Sequence, residues 1–236
     1  MSHSMKRIYA IFEKDVKDLT KNMYVLTTLI MPIVMAVLLT TSGPAQLGLY
    51  FMLINLTFVT VGTYVQSALI AEEKEKNTLR GLMMSPATMA EILIGKSIVS
   101  ILLTVLTFGI CHVIMDGEWA NPAVLLPALI ITLLFCIVIG TVLGLLTRSL
   151  MEASVIIVPF IFLFGMGPIF NVFIEEYAVL QVLEYLPNFQ LEYLGRDLDA
   201  GNKMAGVAGH YAILAAWMAA AIVTMVIVFQ KRTWDE

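Results

Sequence analysis

Six stretches carry almost no charge over about twenty residues each and are separated by short polar links. They run Met23–Thr41, Leu47–Ile70, Ser97–Met115, Pro122–Thr147, Ala153–Ile174 and His210–Gln230. Roughly 20 apolar residues, rising ~1.5 Å each, cross a ~30 Å hydrocarbon core, so every stretch predicts a transmembrane helix. Lipid offers no partner to a free N–H or C=O, which leaves helices as the way to use such segments. Adjusted for helix starts, the expected spans are 23–41, 47–70, 92–115, 122–147, 153–174 and 208–230. Ahead of them, residues 1–21 place Ile8, Ile11, Phe12, Val16 and Leu19 at helical spacing among Lys6, Arg7, Glu13, Lys14, Lys17 and Lys21. That pattern predicts a helix lying in the inner membrane interface, its apolar face in lipid and its bases near anionic headgroups; the alternative is a short helix packed on another subunit.

The links sort into two short turns and two longer segments. Ser42–Gln46 contains Gly43-Pro44, a turn sequence, and Asp116–Asn121 offers Trp119 as an interfacial anchor. The segment 71–91 is densely charged. The segment 175–207 places Tyr177, Leu180, Leu183 and Leu186 on one helical face, then Pro187, then Leu191, Tyr193 and Leu194. Two short amphipathic helices at, or dipping into, the outer surface are expected there.

Composition agrees and excludes a soluble domain: 59% of residues are hydrophobic, 14% are charged, and mean hydropathy is +0.88. Charge placement is more telling than the net value of −4. With the N-terminus inside, twelve of the fourteen Lys and Arg residues fall on inner segments, leaving only Arg196 and Lys203 outside. This bias places both termini in the cytoplasm, and the plasma membrane is the expected location. Residues 1–21 are charged throughout, with no apolar core of signal-peptide length. Cys111 and Cys136 both fall inside spans as small apolar packing residues.

The span interiors carry no charge at their centres, which argues against proton relays and ion sites. Asn55, Thr57, Thr60 and Tyr64 mark the second span; they line a cargo path or bond packed helices to each other. Gly140-Thr-Val-Leu-Gly144 is a small-residue packing motif, common in membrane helices and also a pointer to a dimer face. Pro159 and the run Gly165-Met-Gly167-Pro168 are expected to bend or break the fifth span as a hinge, with Asn171 capping the freed carbonyls. His112 and His210 stand alone, and no grouping of acids, bases or metal ligands points to covalent chemistry or a metal site.

The inner segment concentrates the signal. Glu72, Glu73, Lys74, Glu75, Lys76 and Arg80 supply six charges, followed by a Leu79, Leu82, Met83 stripe and a Ser85-Pro86 break. Thr88-Met-Ala-Glu91 fits a capping box, so a helix should begin near Met89 and rise into the third span. Gly95-Lys96-Ser97 matches the end of a phosphate-binding loop, but Ala90 stands where the upstream Gly is required and no strand precedes it. A helix start explains these residues better.

This segment resembles the type-2 ABC exporter permeases. Their acidic-basic run, Thr-Leu, hydrophobic pair, Ser-Pro and Glu-Ile-Leu-x-Gly-Lys appear here as Glu73–Lys76, Thr78-Leu79, Leu82-Met83, Ser85-Pro86 and Glu91–Lys96. Asn77 stands where the family often has Gly, and Asn tolerates a left-handed backbone. Tyr185-Leu-Pro187 and Leu191–Arg196 resemble a second stretch of that family. The resemblance implies an all-α membrane protein of six transmembrane helices, with an N-terminal interfacial helix, a cytoplasmic coupling helix and short extracellular helices. It implies that residues 72–86 dock in a cleft of a separate cytosolic ATPase subunit. Leu79, Leu82 and Met83 would bury there, with Glu72–Lys76, Thr78, Arg80, Ser85 and Pro86 around them. ATP and Mg would be held by that partner, with no cofactor on this chain, and a second permease subunit would complete the pathway. No nucleic acid is implied. An apolar path with an acidic outer mouth (Glu175, Glu176, Glu184, Glu192, Asp197, Asp199) suits a hydrophobic or amphipathic peptide or drug. The competing readings are an ATP-independent channel or secondary transporter, and export of ions or lipid-linked glycans.

Overall fold

A computed structural model describes residues 3–41, 46–78, 81, 84–201 and 204–234. The described residues form helices and turns only, without a strand. α1 is His3–Lys21, α2 Met23–Thr41, α3 Leu47–Glu75, α4 Met89–Ile114, α5 Pro122–Leu146 and α6 Leu150–Gly165. A 3-10 turn at Gly167–Phe170, α7 (Asn171–Glu176), a second 3-10 stretch (Ala178–Tyr185) and α8 (Pro187–Asp199) follow, and α9 (Met204–Trp234) closes the chain.

Among the described residues, four helices are long and apolar enough to cross a membrane: Leu47–Glu75, Ala90–Ile114, Pro122–Leu146 and Gly206–Lys231. A fifth is obtained if α1 and α2, bent by 76° against each other, are taken as one span. The expected span 23–41 is present with its expected bounds, and one expected span is shorter and differently bounded. α2 is a separate helix, capped where the Asn22 side chain accepts the Val25 N–H at 3.3 Å. The fifth expected span, 153–174, ends as a helix at Gly165.

α3 is the central pillar. Every residue from Tyr50 to Ala71 is buried, so its polar side chains must find partners inside the chain. Thr63 Oγ1 donates to the Cys136 carbonyl at 3.0 Å, and the Gln66 amide donates to Thr141 Oγ1 at 3.0 Å while accepting from Ser100 at 2.8 Å. Phe58–Thr63 form a π-helical turn within this pillar. α5 approaches through Gly140 and Gly144: a Cβ on Gly140 would stand 2.4 Å from the Thr63 carbonyl oxygen, and one on Gly144 would stand 2.8 Å from Ser67 O. The small-residue motif is therefore consumed inside the chain, joining α5 to α3, and is not left for a dimer face. Tyr211 of α9 bonds the Val124 carbonyl of α5.

α1 does not lie free with its apolar stripe in lipid. Ile11 and Leu19 are buried, and Phe12 and Val16 pack against the same core. Gly95 of α4 has no room for a Cβ, which would meet Ile11 Cγ2 at 2.9 Å, so the two helices touch closely there. The chain's own surface takes up the stripe assigned to lipid, because charges described below pull α1 onto α4.

At the far end the 175–207 segment does form two helical pieces. Leu191 and Leu194 are fully buried, so α8 dips into the bundle, whereas Val179 and Val182 on the 3-10 stretch stay exposed. Trp119, expected as an anchor, stacks on Phe108 and donates to Tyr50 Oη at 2.7 Å. Tyr50 Oη also hydrogen-bonds His112 Nδ1 at 2.5 Å.

Candidate functional site

The charges of the inner segment and of α1 meet at one end of the bundle. Lys96, about two turns into α4, is 0% exposed, a position a lysine takes only when its charge is matched. Its ammonium lies 3.1 Å from Asp15 Oδ2 of α1 and 3.0 Å from Glu73 Oε1 of α3. Asp15 and Glu73 are themselves 1% and 4% exposed. Lys14 reaches the same Glu73 oxygen at 2.5 Å from the outer side. Arg7 pairs with Glu91 at 2.8 Å, so α1 is riveted to α4 at two levels and to α3 between them.

Burial pushes the Asp15 carboxyl above the usual carboxylate range, opposed by Lys96 and reinforced by Glu73. Burial pulls the Lys14 ammonium the other way, but the Glu73 bond and the carboxylates of Glu73, Asp15 and Asp18 outweigh it and leave Lys14 raised. Sequence reading missed this lock. The only local sign was Gly95-Lys96, a small residue that admits α1 beside a cation that needs it.

The acidic-basic run itself is a junction. Glu72 bonds Lys76 at 2.6 Å and accepts from the Asn22 amide at 3.2 Å. Lys74 donates to the Leu145 and Thr147 carbonyls at 2.6 and 2.5 Å, closing the C-terminus of α5. Glu75 accepts the Leu150 N–H at 2.9 Å, at the start of α6. Side chains placed by sequence on a partner-facing rim thus tie the foot of α3 to α1, α2, α5 and α6.

Past this junction Asn77 takes φ +56°, the left-handed backbone that asparagine tolerates. Thr78 Oγ1 donates to Glu73 O at 3.3 Å. Leu79, Arg80, Leu82 and Met83 lie outside the described residues. Met84, 80% exposed, and Ser85 and Pro86 stand open to their surroundings. The capping box is present: Thr88 Oγ1 accepts the Glu91 N–H at 3.3 Å, and Glu91 Oε2 accepts the Thr88 N–H at 2.8 Å. Glu91 thereby caps α4 with one oxygen and holds Arg7 with the other. Thr88→Ala should cost about 1 kcal/mol in denaturant titration, while Thr88→Ser retains the wild-type midpoint.

The polar residues of α3 divide. Thr60, inside the π turn, and Tyr64 line a cleft of ≈ 320 Å³ with Thr27, Thr28 and Met31 of α2 and Ser154, Ile157 and Val158 of α6. The lining is apolar with neutral hydroxyls. Asn55 instead donates to the Asn188 carbonyl at 3.2 Å, and Thr57 donates to Leu53 O at 2.7 Å; both act in packing. The expected hinge coincides with the end of α6. Pro159 sits inside the helix, Ile161–Gly165 widen into a π turn, and the path changes at Met166. Gly165 touches Leu56 of α3, and a Cβ on Gly167 would fall 2.5 Å from Asn188 Nδ2. Pro168 follows in the 3-10 turn. Asn171 opens α7, and its side chain bonds Glu192.

The family model described as ABC-2 family transporter protein matches residues 40–228, which include the pillar, the charged foot and the helices 167–199. No curated protein matches the chain significantly. Long apolar helices and a family match over four fifths of the sequence agree, and the chain is a multi-pass membrane protein belonging to the ABC-2 family of ABC transporter permeases.

Proposed function

We propose that the chain is the permease subunit of an ATP-driven exporter for hydrophobic or amphipathic cargo, such as a peptide toxin, an antimicrobial peptide or a drug. ATP and Mg belong to a separate cytosolic ATPase pair that grips residues 72–86. The observation that carries this reading is the junction at the foot of α3: Glu72–Glu75 reach α1, α2, α5 and α6 by direct bonds. A push delivered just beyond it, at Leu79, Leu82 and Met83, would move the bundle as a body and not bend a loose loop. Two positions of such a rigid element, biased by ATP on the partner, suffice for alternating access.

In this reading α2 and α6 complete six spans, α1 lies at the inner surface, both termini are cytoplasmic, and a second permease subunit closes the pathway in the plasma membrane. The positive-inside bias supports that orientation. The cleft between α2, α3 and α6 supports the cargo class, since neutral hydroxyls on apolar walls suit an apolar molecule with a few hydrogen-bonding groups. Pro159, Gly165, Gly167 and Pro168 serve as the hinge, in and after the helix α6 that supplies one wall of that cleft.

The test is Leu79→Asp combined with Leu82→Asp in the permease–ATPase complex reconstituted in vesicles. Charges in a buried docking stripe should weaken association by roughly a hundredfold or more and abolish ATP-driven transport, with helicity and thermal unfolding of the permease unchanged. Transport that persists in this variant, or that proceeds through the permease alone, overturns the proposal.

A further inference from the structure

Beside the buried lock is a pocket of ≈ 230 Å³ lined by Lys14, Asp15, Asp18, Leu69, Glu72, Glu73, Lys76 and Thr78. Its chemistry is unbalanced. Four carboxylates, Asp15, Asp18, Glu72 and Glu73, meet three ammonium groups, Lys14, Lys76 and the underlying Lys96, leaving one negative charge in excess. The imbalance has an address. Glu73 Oε1 holds both Lys14 and Lys96, whereas Glu73 Oε2, itself buried, has no hydrogen-bond partner among the described residues. A buried carboxylate oxygen calls for a donor.

We infer that this pocket receives an arginine side chain of the ATPase subunit, whose guanidinium donates to Glu73 Oε2 and to the rim carboxylates of Asp18 and Glu72. The inference rests on the permease reading above. An anionic lipid headgroup is excluded by the sign of the excess charge. A bare metal ion would need several free oxygens, and among the described residues that line the pocket Glu73 Oε2 is the buried oxygen left unpaired. A forked planar donor can instead satisfy one oxygen at the back and others at the rim, which a point-charge ammonium does less well. The position also fits: Thr78 lines the pocket and is followed directly by the segment proposed to dock on the partner, so an ATPase seated there reaches both. A partner arginine would then bear on Glu73, and through Glu73 on Lys96 and α1, giving the ATPase a second grip on the bundle.

The experiment uses the permease–ATPase complex in nanodiscs. Asp18, a partly exposed member of the rim, is replaced by a cysteine carrying a photo-crosslinker, and the crosslinked peptide is sequenced. Separately, affinity for the ATPase is measured with Asp18→Arg. The expected results are a crosslink to an arginine-containing ATPase peptide, an affinity lower by about tenfold or more for Asp18→Arg, and recovery when that arginine is changed to Glu. An Asp18→Arg permease that binds as tightly as wild type, or crosslinks confined to this chain or to lipid, overturns the inference. If in that case Leu79→Asp/Leu82→Asp still uncouples the complex, the permease reading stands without the pocket; if that variant also binds and couples normally, the permease reading itself falls.

Discussion

Lys96→Ala is expected to destabilise the protein by about 3–5 kcal/mol, because it strands two carboxylates that are almost wholly buried. Asp15 and Glu73 would then share only Lys14, which approaches from the pocket side. Mutual repulsion across the vacated space should expel α1 and open the path to Ile11 and Leu19, the apolar residues that α1 buries. The measurement is the unfolding midpoint in mixed micelles together with protease access to residues 1–21. A triple variant combining Lys96→Ala with Asp15→Asn and Glu73→Gln should recover much of the loss, since removing every charge also removes the desolvation penalty. A Lys96→Ala protein with a wild-type midpoint and a protected α1 would show that the ion pairs do not hold this helix.

Gly140→Val should rank next in damage. A Cβ there lies 2.4 Å from the Thr63 carbonyl oxygen, 2.9 Å from Gln66 Cβ and 3.1 Å from Thr63 C, all belonging to the buried pillar α3. Two of those atoms are backbone, so relief requires moving α5 away from α3. Moving it breaks the Thr63–Cys136 and Gln66–Thr141 hydrogen bonds, which have no water to replace them. Overpacking costs about 1–3 kcal/mol, and the lost bonds add to it, so the variant should show a lowered unfolding midpoint and poor yield. Gly109→Ala is the matched control. Nothing stands within 4 Å of a Cβ at that position of α4, and the change should be neutral or stabilising by about 0.5–1 kcal/mol. Equal behaviour of the two variants would refute the close α3–α5 contact.

These two sites also show where sequence reading stops. Thr88–Glu91 was legible because a capping box is closed by residues three apart, and the structure forms both of its bonds. Asn77 was legible for the same reason: a left-handed turn is a property of one residue and its neighbours. The break after Gly165 followed from Gly and Pro alone. By contrast, Gly140-xxx-Gly144 announced a close contact without naming its partner, and the dimer face it also suggested turned out to be α3 of the same chain. Thr57, Thr60 and Tyr64 share a face by helical spacing, yet Thr57 and Thr60 both return their hydroxyls to their own helix, and beside the π turn at Phe58–Thr63 only Thr60 and Tyr64 of the three line a cleft.

The acidic-basic run is the clearest case. Its charge was visible, and its placement beneath the membrane core was inferable, but its use was not. Asp15 and Lys96 are 81 residues apart, and a buried pair of that separation leaves no periodic trace. By itself the sequence determined the membrane class, the helical segments, the family and the local caps and breaks, since hydropathy, spacing and turn chemistry act over a few residues. Only the tertiary structure decided that α1 is bolted to α4, that one Glu73 oxygen holds both Lys14 and Lys96, and which polar groups face a cleft. Those outcomes depend on which charges remain after distant helices have excluded water from between them.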